Sequence, residues 1–223
     1  MVWKLAQSPK VTEIYVTPGN AGTAQIAQNL NISPADIMNL IKVALEKRVN
    51  LTVVGPEAPL ASGIADEFLI RGMQIFGPTK AATRIESSKV FAKELMQKHN
   101  IPCARSMSFS SYAEAKEYVM KLSPPIVIKA DGLAAGKGVT VASTIPQAVD
   151  TLANIMEAKA FGAAGDRVVI EEHLKGKEVS TFAFTDAHTT VPMVAACDYK
   201  SVFDGGQGPN TGGMGSYSPP DFF

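Results

Sequence analysis

Three short apolar runs in the first third of the chain each stop at a proline–glycine or glycine–proline pair. Glu13 to Thr17 ends at Pro18-Gly19, Leu51 to Val54 at Gly55-Pro56, and Gln74 to Phe76 at Gly77-Pro78. Runs this short, bounded by residues that break regular structure, read as strands. The unbroken apolar character of Leu51 to Val54 fits a strand buried in a parallel sheet. Helical spacing fills the gaps. Ile37, Leu40, Ile41, Ala44 and Leu45 fall on one face of a helix, with Ser33 expected as its N-cap and Pro34 at its first position. A second helical stretch covers Ile64 to Arg71. Strand, helix, strand, helix, strand is the pattern of a parallel sheet with crossovers. Such sheets bind ligands at the carboxyl ends of their strands, here in the loops 18–23 and 55–60. Hydrophobic residues make up 46% of the 223, which is sufficient for a packed core.

The pattern changes near Gly77-Pro78. A helix is expected from Glu86 to Lys98. Ser111-x-x-Glu114 has the form of a capping box, opening a helix with Ala115, Tyr118, Val119 and Leu122 on one side. Pro125 to Ala130 and Val139 to Ala142 read as strands flanking a glycine-rich loop. A helix over 147–157 buries Val149, Leu152 and Met156. Three further strand-like runs follow, at 167–171, 178–184 and 190–195. Short connections make this part antiparallel. The expected fold class is therefore α/β, with a Rossmann-like parallel-sheet domain over residues 1–78 and an α+β domain over 79–223.

Charge narrows the partners. Lysine plus arginine and aspartate plus glutamate both number 21. No global basic field exists for nucleic acid, whereas a small anion needs only local amides and one or two cations. Cys103 and Cys197 are far apart and read as reduced thiols. His99, His173 and His188 are scattered, so no metal site is expected. No run approaches the ~20 apolar residues of a membrane span, and no secretory signal is visible. A cytoplasmic protein without a membrane or nucleic-acid partner is the expectation.

Three segments carry candidate chemistry. Val127 to Ser143 contains Gly132, Gly136 and Gly138 with Lys129 and Lys137. It is not a P-loop, because three residues rather than four separate Gly132 from Gly136, Gly138 occupies the Ser/Thr place, and β-branched residues follow. Two readings stay open: a flap folded over a polyphosphate with Lys129 beneath it, or an ordinary hairpin with solvated lysines. The second segment is an apolar strand running into Glu171, Glu172, His173 and Leu174, with Glu178 shortly after. It suits an adenine edge and a ribose diol, or equally a solvated acidic hairpin. The third, Gly208 to Pro220, holds Asn210, Thr211, Gly212, Gly213, Met214 and Gly215. As a loop of exposed amides it suits a carboxylate or acyl phosphate, with Asp198 and Lys200 in reach. A glycine-rich tail is the alternative.

Together these segments resemble the ATP-grasp superfamily and, within it, the phosphoribosylamine–glycine ligases. The strings PGNAGT, VGPEAPL, FGPT, ESSKVFAKELM, VIKADGLAAGKGV, AFGAAGDRVVIEE and GPNTGGMGSYSP carry the likeness. They follow the family's order over nearly the whole chain, and ADGLAAGKGV and PNTGGMG are the most specific. The resemblance implies ATP-dependent joining of glycine to 5-phosphoribosylamine through glycyl phosphate, with ATP and Mg2+ as cofactors. It implies that Lys89, Lys129 and Lys137 meet the ATP phosphates, that Glu171, Glu172 and Leu174 line adenine, and that Glu178 holds the ribose. Gly19, Asn20, Gly55, Pro56 and Glu57 would bind the amino-sugar phosphate. Asn210, Thr211, Gly212, Gly213 and Met214, with Asp198 and Lys200, would bind glycine and its acyl phosphate. Lys129, Lys137, Asn210, Gly212 and Gly213 would be catalytic. The family's first strand and its magnesium ligands have no counterpart here, so the ATP-grasp domain is expected to be incomplete and the chain alone not to complete the reaction. Tyr199 replaces a usual histidine and Lys177 a common acidic residue. Fusion to later purine-pathway domains is a further expectation.

Overall fold

In the computed structural model the glycine–proline punctuation does end strands, and the strands are short. Residues 1–134, 138–186 and 188–223 are described, in two compact units, Met1–Ser87 and Ser88–Phe223. The first unit runs α1 (Val2–Leu5), β1 (Tyr15–Val16), β2 (Gln28–Asn29), α2 (Ile37–Glu46), β3 (Thr52–Val53), α3 (Glu57–Ser62), α4 (Ile64–Ile70), β4 (Ile75–Phe76) and α5 (Lys80–Ser87). β1 pairs with β2, and β3 with β4, both in parallel. Helices α3 and α4 make the crossover between β3 and β4. Ile41 and Ala44 of α2 bury against Leu60, Ile64, Ala65 and Phe68.

Local chemistry moved several boundaries. Asp36, not Ser33, caps α2: its carboxylate accepts from Asn39 N at 3.2 Å. Ser33 forms the preceding turn instead, accepting from Ala35 N at 3.3 Å. Leu45, expected on the buried face, is 57% exposed. The expected loop 55–60 becomes helix α3 directly after Pro56. Gly63, at φ 95°, ends α3 and begins α4. That left-handed backbone, which glycine adopts without a Cβ penalty, lets two short helices follow one another. The helix expected from Glu86 to Lys98 breaks at Ser88, which is extended (φ −139°, ψ 110°) and caps the next helix by accepting from Phe91 N.

The second unit runs α6 (Lys89–Lys98), β5 (Ser106–Phe109), α7 (Tyr112–Val119), β6 (Ile126–Ala130), β7 (Val139–Ala142), α8 (Ile145–Met156), β8 (Val168–Glu172), β9 (Ala183–Thr185), β10 (Thr190–Pro192), β11 (Cys197–Phe203) and β12 (Gln207–Tyr217). Four strands form one sheet in the order β5-β8-β6-β7, with every neighbour antiparallel. Ser111 accepts from Glu114 N as the capping pattern required. Strand alternation divides the sheet's two faces. Ile126, Ile128, Ala130, Val168 and Ile170 pack with Ala115, Val119, Ala148, Leu152, Ile155 and Met156 of α7 and α8. Val127, Lys129, Val169 and Glu171 therefore point to the other face. β9 and β10 form a hairpin. Residues 208–217, expected as a loop, lie in β12, paired antiparallel with β11. Strands β5 and β11 had no clear sequence signal.

Candidate functional site

Register places the charged residues of β6 and β8. Val127 lies opposite Glu171, and Lys129 opposite Val169, so Lys129 and Glu171 are diagonal neighbours on one face. Lys129 Nζ sits 2.8 Å from Glu171 Oε2. A second cation comes from α6: Lys93 Nζ lies 3.2 Å from Glu171 Oε1 and donates to Ala104 O at 3.2 Å. Lys93 Nζ is within ion-pair reach of Glu171 Oε1 but not aligned as a hydrogen bond, so that buried oxygen has no hydrogen-bond donor. The Glu171 side chain is only 5% exposed, Lys93 13% and Lys129 27%. Two ammonium groups on one carboxylate leave a net positive charge in a partly dry place, which attracts an anion.

The root of the glycine-rich loop is fixed just beyond β6. Asp131, 7% exposed, accepts from Arg167 Nη2 at 2.6 Å, from Ser88 Oγ at 3.2 Å and from Val90 N at 3.2 Å. A carboxylate against the first turn of α6 suits that helix end. Lys89 Nζ donates to Gly132 O at 2.8 Å. Lys89 and Lys129 thus stand at the base of this loop. Lys137 lies outside the described residues.

Glu172 points away from Glu171, as alternation demands. It accepts from Arg105 N, Nε and Nη2 at 2.8, 3.0 and 2.9 Å. These bonds hold its carboxyl below the ordinary value and push the Arg105 guanidinium up. Its side chain is therefore engaged, and its backbone N–H is taken by Arg105 O. Leu174 is 64% exposed.

A second cluster gathers residues distant in sequence. Lys200 Nζ is 3.2 Å from Glu178 Oε2 and 3.5 Å from Asp198 Oδ1. Glu178 chiefly, and then Asp198, raise the Lys200 ammonium. Thr211 Oγ1 donates to Lys200 O at 2.9 Å and accepts from Gly213 N at 3.0 Å. Tyr199 pairs with Gly215 and Ser201 with Asn210, so Thr211, Gly212, Gly213 and Met214 stand opposite Lys200 alone. The specific glycine-rich string is a bulge in a strand rather than a free loop.

In the first unit Gly19 and Asn20 follow β1, and Gly55, Pro56 and Glu57 follow β3 into the first turn of α3. Asn20 Oδ1 accepts from Gly22 N and Thr23 N at 2.9 and 3.0 Å, and Asn29 Nδ2 donates to Asn20 O at 2.8 Å. A Cβ on Gly19, at φ 77°, would collide with the Asn29 amide. An open cleft of about 510 Å3 beside Arg48, Asn50, Arg71 and Gln74 lies at the opposite ends of β3 and β4 from these loops.

Sequence reasoning missed Lys93, Asp131, Ser88 and Arg167. Lys93 carried a signal, one helical turn after Lys89; Arg167 carried none. Among the described residues no three His, Cys, Asp or Glu side chains converge to hold a metal, and no helix is long and apolar enough to cross a membrane.

The sheet gathers lysines and a buried glutamate on one face, and the chain that builds it is a protein of the ATP-grasp class. Residues 87–223 match the family model described as phosphoribosylglycinamide synthetase, ATP-grasp (A) domain. The Campylobacter jejuni biotin carboxylase in its β-γ-ATP complex shares the fold at TM-score 0.66, with 16% identity over 84% of this chain and 45% of that one. Residues 1–86 match the N domain of the same synthetase, and the chain belongs to the phosphoribosylglycinamide synthetase family. It is 52% identical over its whole length to the phosphoribosylamine–glycine ligase of Halalkalibacterium halodurans, of which it covers 52%. It also superposes on the crystal structure of phosphoribosylamine–glycine ligase from Thermotoga maritima at TM-score 0.78, with 34% identity over 96% of this chain and 51% of that one. The chain spans about half the length of the curated relatives it matches.

Proposed function

We propose that this chain carries nucleotide- and substrate-binding machinery for ATP-dependent ligation of glycine to 5-phosphoribosylamine, giving glycinamide ribonucleotide, ADP and phosphate. One observation carries the reading: Lys129 and Glu171 meet on one sheet face, beside a glycine-rich loop whose base holds Lys89. A carboxylate is a poor acyl donor, and phosphorylation of glycine gives it a leaving group. The protein's share of that chemistry is positioning and charge neutralisation. Lys129 exchanges Glu171 for an ATP phosphate, and Lys89 exchanges Gly132 O for another. The apolar strand β8 borders adenine. Glu178 holds the ribose, and amides of the bulge from Thr211 to Met214 receive the acyl phosphate beside Asp198 and Lys200. Gly19, Asn20, Gly55, Pro56 and Glu57 take the amino-sugar phosphate. Magnesium accompanies ATP in this family reading; the described residues offer it no converging set of three carboxylates, thiols or imidazoles.

A second reading is a chain that binds nucleotide without turning it over. Calorimetry with ATP tests the shared part. Lys129→Ala is expected to weaken binding at least about tenfold, the loss of one charge-assisted phosphate contact. Unchanged affinity removes Lys129 from the site. A turnover assay separates the readings: ADP release that requires both glycine and 5-phosphoribosylamine supports the ligase, and binding without release supports the second.

A further inference from the structure

Glu171 faces two ammonium groups, and the nucleotide reading uses only one of them. Lys129 lies on a strand and is the more exposed, at 27%. When it turns to a phosphate, a carboxylate only 5% exposed loses its 2.8 Å partner. A buried charge without compensation is costly, and the cost would be charged against nucleotide affinity. Lys93 is placed to prevent this. It is 13% exposed, lies 3.2 Å from the other carboxylate oxygen, and is tethered through Ala104 O. Its helix is held at the near end by the Ser88 cap and by Asp131 on Val90 N, so it stays while Lys129 moves. Glu171 Oε1 has no aligned donor, which leaves Lys93 able to tighten onto it.

We propose that Lys93 is a positioning residue, which holds and neutralises the Glu171 carboxylate so that Lys129 is free to bind the nucleotide phosphate. The proposal rests on the nucleotide reading given above. It assigns Lys93 no contact with the nucleotide, so its effect must pass through Glu171.

A double-mutant cycle with ADP as the probe tests it by calorimetry on this chain, each variant's melting temperature being recorded alongside. K93M is expected to weaken ADP binding by about tenfold, the scale of one buried ion-pair coupling. K93R restores most of that loss. In the Glu171→Gln background, K93M changes affinity less than about twofold, because no charge remains to be held. If K93M does not fold, K93Q takes its place in the cycle. Wild-type affinity in K93M overturns the proposal. An equal loss in both backgrounds also overturns it, since Lys93 would then touch phosphate itself or merely support the fold. Failure of the unsubstituted chain to bind ADP overturns the nucleotide reading first, and is seen before any substitution is made.

Discussion

Asp131 shows how much one side chain organises. It lies just beyond β6, accepts from Val90 N in the first turn of α6 and pairs with Arg167, so it ties the base of the glycine-rich loop to the lysine-bearing helix. Asp131→Ala removes three partners from a buried site and is expected to cost about 2 kcal/mol of stability, measured by denaturant unfolding. Arg105 and Glu172 form the contrasting case. Arg105 is 90% exposed, and such pairs contribute little to overall stability. Their signature is in pH. Glu172 is held below its ordinary value of 4.5, so the pair's stabilisation is present above about that pH and fades as pH falls through the lowered value. Arg105→Met is therefore expected to flatten the acid limb by slightly lowering stability above pH 4.5 and leaving it unchanged at the acid end. An equally steep acid limb in the variant would show that the pair does not act in this way. Glu171 and Glu172 are adjacent and look alike in sequence. Alternation alone sends one to the face that carries Lys129 and the other to Arg105.

At the scale of elements, periodicity was a sound guide where a face is buried. The capping box at Ser111, the strands around the glycine-rich loop and the helix over Leu152 all stand where pattern put them, within a few residues. Leu152 is fully buried among β6, β8 and α7, and Leu152→Ala is expected to lower stability by about 3 kcal/mol, visible as a lower melting temperature. Pattern failed where short-range chemistry competes. Ser33 and Asp36 both offer N-cap oxygens, and the one adjoining the apolar face won. A glycine-rich string reads as loop from composition. Here β11 supplies a partner ladder, and the string becomes a bulged strand. Such a ladder joins residues far apart in sequence, so no local window contains the signal.

At the scale of the molecule, the chain divides at Ser87/Ser88, where helix α5 ends and Ser88 turns extended. A ligand that binds only the native state stabilises it by mass action, about 2.7 kcal/mol at a hundredfold excess over Kd. Saturating ADP is expected to slow amide exchange in β6 and β8 of the second unit and to leave β3 and β4 of the first unaltered. Protection confined to the first unit would place the nucleotide elsewhere. Family membership extends over both units, so the same comparison also tests whether the sheet face at Glu171 is the one that responds.

The sequence by itself determined the parallel-then-antiparallel order of elements and the family to which its strings belong, and it offered Lys129, Glu171, Glu178, Asp198 and Lys200 as candidates. These follow from local periodicity and from motifs contiguous in the chain. Only the tertiary structure brought in Lys93, Asp131 and Arg167 and decided which charges meet. Lys93 and Lys129 converge on Glu171, Lys200 joins Glu178 to Asp198, and Arg167 reaches Asp131. All but Lys200–Asp198 depend on strand register and helix packing between residues far apart in the chain, and register is an outcome of burying a whole sheet face at once.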